Sequence, residues 1–213
     1  MQLSITIVII IITVLISIGA FNNSKIENDL IFYPPAIREQ KQWYRFFTCG
    51  FIHADASHLI FNMLSLFFFG PEVEKGFQQY FEDMGSWLYL IMYATSLFIS
   101  LLPTYLKHQY DYNYRSLGAS GAVSAVIFAG LMLTPLTKIY IFFIPIGIPG
   151  FIFGPLYLLL TAYMERRGGD HINHSAHLWG ALYGLAFIIV AGYAAGHNII
   201  GIFLASVLQY LGM

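Results

Sequence analysis

Charge is scarce in this chain. Of 213 residues, Lys and Arg supply 10 and Asp and Glu 11, so only 10% are charged. Soluble domains carry about 25%, and 58% of these residues are hydrophobic with a mean hydropathy of +0.67. A soluble globular domain is excluded, and an integral membrane protein is indicated. A basic excess is absent as well, since the net charge is −1. Nothing therefore points to a nucleic-acid partner. The single cysteine, Cys49, rules out an intramolecular disulfide and supplies no metal framework. Internal repeats of the kind that mark transporter halves are not evident.

Charge-free runs mark the expected spans. They lie at residues 3–21, 56–71, 84–106, from Gly118 to Thr137, about 150–164, and 174–195. The stretch 139–150, interrupted by Pro145 and Pro149, reads as a re-entrant or interfacial segment. Residues 196–213 are apolar but short; an interfacial helix or a marginal seventh span fits, the former being favoured, as a tail to a 3–195 membrane domain. Between the first two spans lies a 34-residue segment, Asn22 to Asp55, with eight charges. A loop that long is uncommon unless it is functional. Its aromatic-rich second half suits a structured element at the headgroup boundary.

Polar side chains inside such runs are costly and are functional candidates by default. His58 and Asn62 are four residues apart on one helix face, and Ser120 and Ser124 are likewise one turn apart. His177, Gly180 and Gly184 fall on one stripe, where small residues allow close helix approach. Ser120 sits in Gly118-Ala119-Ser120-Gly121, a poor helix propagator that suits a helix start. If the two small-residue faces meet, a serine lies beside a histidine base, which is an activated nucleophile. Unpaired amides at the helix N-terminus, with His58 and Asn62, would then stabilise an oxyanion. The bland readings are helix packing for the glycines and ordinary buried hydrogen bonds for the rest.

With these residues assembled in order, the chain resembles the rhomboid family of intramembrane serine proteases over residues 3–195. "GASG" matches the nucleophile motif, "AHLWG" the base motif, "HLIFN" the His-Asn pair, and "YRFFT" the aromatic-Arg motif of the first loop. "GPEVE" is similar to the turn after the second helix, and His53 stands at a further recurrent histidine position. The resemblance implies an all-α membrane protein, a six-transmembrane-helix rhomboid bundle with a structured interfacial first loop. It implies a Ser120–His177 dyad without cofactor or metal, and an oxyanion site of His58, Asn62 and the Ser120 amide. Structural roles fall to Tyr44, Arg45, His53, Gly118, Gly121, Gly180 and Gly184. The implied partners are the lipid bilayer and single-pass membrane proteins cut within their transmembrane segments. A catalytically inactive relative that binds or escorts membrane helices is the alternative.

Two departures from the family stand out. Position 124 is serine where many members carry an aromatic packed on the catalytic histidine, so an aromatic from another helix is expected to fill that space. The family orientation, with a cytoplasmic N-terminus and a bacterial plasma membrane as the setting, leaves only Lys75 and Lys138 in inner loops and eight Lys and Arg outside. The positive-inside rule favours the reverse. A metal reading of His171, His174 and His177, spaced by three, is weakened by the absence of any H-E-x-x-H pair. Gly154-Pro155, flanked by Phe151, Phe153 and Tyr157, marks the fifth span as the element expected to move for substrate entry.

Overall fold

The computed structural model describes residues 4–140, 146–170 and 172–213. The described chain is almost entirely helical. Helix α1 (Ile5–Phe21) leads into three short helices, α2 (Ser24–Leu30), α3 (Pro34–Gln40) and α4 (Arg45–Thr48). These and a 3-10 turn at Cys49–Phe51 make up the long first loop. Then come α5 (Ala56–Phe81), α6 (Gly85–His108) and α7 (Ser120–Leu133). The chain continues through α8 (Gly150–Arg167), α9 (His174–Ala194) and α10 (Ile199–Tyr210). Two stretches are long and apolar enough to cross a bilayer, the α5–α6 pair over Ala56–His108 and α9 over His174–Ala194.

The second expected span ends too early in the sequence reading. Instead of stopping at Pro71, α5 continues to Phe81. Proline removes only one amide donor from a helix already under way, and the next turn is supported by a Glu72–Lys75 pair at 2.7 Å. Glu74, expected to mark the membrane edge, is 5% exposed. Its carboxylate accepts the Ser4 hydroxyl (2.6 Å), the Ile5 and Thr6 amides (2.9 and 3.1 Å) and the Thr6 hydroxyl (3.0 Å). It thus satisfies orphan donors at the start of α1 and sits at the favourable end of that helix dipole.

The fourth helix is shorter than its charge-free run, because it begins only at Ser120. In the expected re-entrant segment, Lys138–Ile139 (β1) pairs antiparallel with Ile148–Pro149 (β2); residues 141–145 lie outside the described residues. A buried apolar core joins α1, α5, α6, α7 and α9 through Ile9, Leu66, Phe77, Met92, Val126 and Ile188. A second cluster under the first loop gathers Phe32, Phe46, Leu101 and Tyr105.

Candidate active site

Helix α7 is buried on nearly every side, and α9 packs against it backbone to backbone. A Cβ on Gly180 would overlap the Gly121 carbonyl, and one on Gly184 the Ala125 carbonyl. Gly121 itself lies between the Ser100 side chain of α6, which its Cβ would overlap, and the Ala176 carbonyl, 3.2 Å from where that Cβ would stand. Only glycine permits this approach. The residues that touch, Gly121 and Ala176, are the chain neighbours of Ser120 and His177. The seam therefore sets the candidate nucleophile beside Gly121 and the candidate base beside Ala176, on its two facing helices. Ser120 is the first helical residue of α7, among amides that have no intrahelical partner. Among the described residues, no hydrogen bond joins its hydroxyl to His177.

His58 approaches from α5. Asp55 caps that helix, accepting the His58 amide at 2.8 Å and the Ser57 hydroxyl at 2.6 Å. These donors hold the Asp55 carboxyl below its usual range. The His58 ring lies directly over Gly118, whose Cβ would be 2.6 Å from its Cε1, and Gly118 has φ +116°. A side chain at 118 is thus excluded twice, by space and by backbone conformation. The buried Asn62 amide donates to the His58 carbonyl at 3.0 Å, which turns it back along its own helix.

His53 ties these parts together. Its Nε2 accepts the Ala119 amide at 3.4 Å, and its Nδ1 lies 3.0 Å from the Ser17 hydroxyl of α1. Ser17 in turn donates to the Phe51 carbonyl at 2.9 Å. This order of donors requires a neutral imidazole with its proton on Nδ1. Burial, with a smaller contribution from nearby His58, pushes the His53 pKa down to about 3. The rings of His53 and His58 meet edge to face at 4.9 Å.

The first loop is anchored by Arg45, which is buried and donates to the Asn28 and Ile31 carbonyls at 2.8 Å each and to Gln42 at 2.5 Å. Tyr44 is exposed, with its ring 5.5 Å from the Arg45 guanidinium carbon. An aromatic from another helix does arrive at position 124. Tyr157 of α8 places its hydroxyl 3.2 Å from Ser124 Oγ and its ring 5.3 Å from Phe128. The ring paired with His177 is instead that of His174, at 6.1 Å, and His174 lies 3.0 Å from Asp170. His171 lies outside the described residues. Among the described residues, no three His, Cys, Asp or Glu side chains are grouped to hold a metal.

Sequence reasoning missed Ser17, Glu74 and Tyr157. Ser17 and Glu74 are polar residues in or beside apolar runs, and that was the one available signal. Tyr157 was noted only as an aromatic flank.

Two stretches are long and apolar enough to cross a bilayer, and buried polar groups lie between the helices. The Rhomboid domain model matches residues 40–194, and the chain belongs to that family. It is 32% identical over 143 residues to "RHOMBOID-like protein 12, mitochondrial" of Arabidopsis thaliana, covering 63% of this chain and 42% of that one. It is 35% identical over 82 residues to "Putative rhomboid protease YdcA" of Bacillus subtilis, covering 38% and 37%. It is 27% identical over 170 residues to "Rhomboid-like protein 15" of Arabidopsis thaliana, covering 75% and 39%. The matched stretches thus span roughly two fifths of each of these relatives.

Proposed function

We propose that the protein is an intramembrane serine endopeptidase that cleaves single-pass membrane proteins within their transmembrane segments. The observation that carries this reading is the glycine seam between α7 and α9, with Ser120 next to Gly121 on one helix and His177 next to Ala176 on the other. Ser120 Oγ attacks the scissile carbonyl while His177 takes its proton, then returns it to the leaving amine. Water hydrolyses the acyl-enzyme with His177 again acting as base. The Ser120 amide, His58 and Asn62 receive the oxyanion, and Asn62 leaves the His58 carbonyl to do so. Each side-chain donor contributes roughly 10²–10³ in rate. Catalytic hydrogen bonds are often long or unmade without substrate, so the separated hydroxyl and imidazole describe a resting site.

Six helices, α1, α5, α6, α7, α8 and α9, form the spanning bundle in this reading, within a domain of residues 3–195. The tail helix α10 lies along the interface at the end remote from Ser120. Its approach, His197, hydrogen-bonds the Tyr80 carbonyl near the end of α5 at 2.8 Å, while Tyr210 at its far end meets Phe151 at the start of α8 at 5.8 Å. Both contacts belong to the same end of the bundle. The N-terminus is cytoplasmic and the site opens to the outer side of a plasma membrane of bacterial type.

The missing Ser120–His177 bond favours a second reading, a family member that binds membrane helices without cutting them. Reconstituted protein and a labelled single-span substrate separate the two. Cleavage by wild type, abolished in Ser120→Ala and in His177→Ala, is expected. Binding without cleavage in wild type would establish the second reading, and cleavage surviving Ser120→Ala would remove the nucleophile assignment.

A further inference from the structure

At the end of the bundle remote from Ser120, a groove of about 1100 Å³ opens between the second half of α5 and the end of α7 with its β1 extension. It starts one turn beyond Asn62. Its walls are apolar through Leu64, Phe68, Val73 and Leu131, and its far end is polar, with Thr134 and Thr137. Of the ten Lys and Arg in the chain, eight belong to the loops and helix ends on the side of the candidate site. The other two, Lys75 and Lys138, both line this groove.

That coincidence needs an explanation. Lys75 comes from α5, and Lys138 from β1, whose close pairing partner segment includes Gly147, where a Cβ would lie 2.9 Å from the Lys138 Cβ. Lys75 pairs with Glu72 at 2.7 Å, but both side chains are about 70% exposed at 67% and 73%. Such exposed pairs are weak and yield readily to a better counterion. The Lys138 ammonium has no ion-pair partner among the described residues. The trough ends in two lysines and two hydroxyls, with Glu72, the exposed partner of Lys75, also in its lining. It matches an amphiphile with hydrocarbon chains and an anionic head that takes Lys75 from that carboxylate. Basic pockets between membrane helices characteristically bind acidic lipid headgroups.

We propose that this groove is a binding site for an anionic phospholipid, with acyl chains along α5 and the phosphate between Lys75 and Lys138. The site is separate from the Ser120 region and does not depend on the protease reading, because it is read by lipid retention.

The test is native mass spectrometry of the full chain released from nanodiscs of mixed phosphatidylglycerol and phosphatidylcholine. Each lysine near the surface strengthens acidic-lipid binding roughly fivefold. Wild type is therefore expected to retain phosphatidylglycerol preferentially, and Lys75→Gln/Lys138→Gln to lose about twenty-fivefold of that preference. Lys107→Gln, at the opposite end, is expected to keep it. Gly76→Phe, which fills the groove without touching charge, is expected to reduce retention of both lipids. Equal retention of the two lipids by wild type overturns the proposal, as does a preference that survives the double substitution. If the double variant retains lipid normally but weakens capture of a transmembrane peptide, the groove belongs to a polypeptide and the lipid assignment falls.

Discussion

Helices α8 and α9 are consecutive and similar in length, yet they meet α7 in opposite ways. Along α9, Gly180 and Gly184 bring backbone against backbone, with no side chain between. Along α8 only the first residue is as tight, with a Cβ on Gly150 2.6 Å from the Leu131 side chain and 3.1 Å from the Pro135 carbonyl. One turn on, a Cβ on Gly154 would sit at an ordinary 3.5–3.6 Å from Leu131 and Phe128. The buried residues of α8 are Gly150, Gly154 and Thr161, while Leu156, Leu159, Leu160 and Tyr163 face outward. The first contact cannot loosen without separating the candidate dyad. Beyond its start, where the Gly150 and Phe151 amides bond the Thr137 and Pro135 carbonyls at 2.9 Å each, the second is held by side chains that are free to rearrange, helped by a backbone bond lost at Pro155. One face of α7 is thus fixed for chemistry, and the other is left to yield.

Substitutions test that contrast, beginning with the most severe. Gly184→Leu forces a branched side chain into the Ala125 carbonyl, and no rotamer avoids it. Loss of a cooperatively folded protein is expected, seen as failure to give a monodisperse species in detergent. Gly180→Ala adds one methyl at the same seam, and overpacking of about 1–3 kcal/mol is expected. It should lower the thermal midpoint in detergent and reduce kcat for a transmembrane substrate more than it changes KM, because Ser120 and His177 move apart. Tyr157→Phe removes the 3.2 Å link from α8 to Ser124. A loss of about 0.5–1.5 kcal/mol is expected, with little further change when Ser124→Ala is added in a double-mutant cycle. Gly154→Ala should change stability by less than about 0.5 kcal/mol. A large loss there would show that α8 is held as firmly as α9, and the contrast would fail.

Much of this was legible in the sequence because the signals were local. His58 with Asn62, and His177 with Gly180 and Gly184, are helical spacings, and the glycine-flanked Ser120 announces a helix start. The misreadings came from treating local chemistry as decisive. Pro71 and the charges after it read as the end of a span, but proline deletes one donor and Glu74 found its partners in α1. Ser17 and His53 are 36 residues apart, so their contact has no periodicity to betray it. The role of Tyr157 depends on how α7 and α8, joined by a long connection, lean together, which no spacing records. Close packing could be foreseen from small residues, whereas polar pairs between distant helices could not.

The cap on α1 also fixes an order of assembly. Its first amides find their acceptor in Glu74, and the Ser4 hydroxyl bonds a carboxylate 70 positions further along the chain. The Thr6 hydroxyl likewise meets Tyr89 at 2.8 Å, beyond that again. During synthesis, therefore, the first helix enters the bilayer with one end unfinished, and it is completed only when α5 and the start of α6 have followed it in. A helix made early is thus among the last to settle.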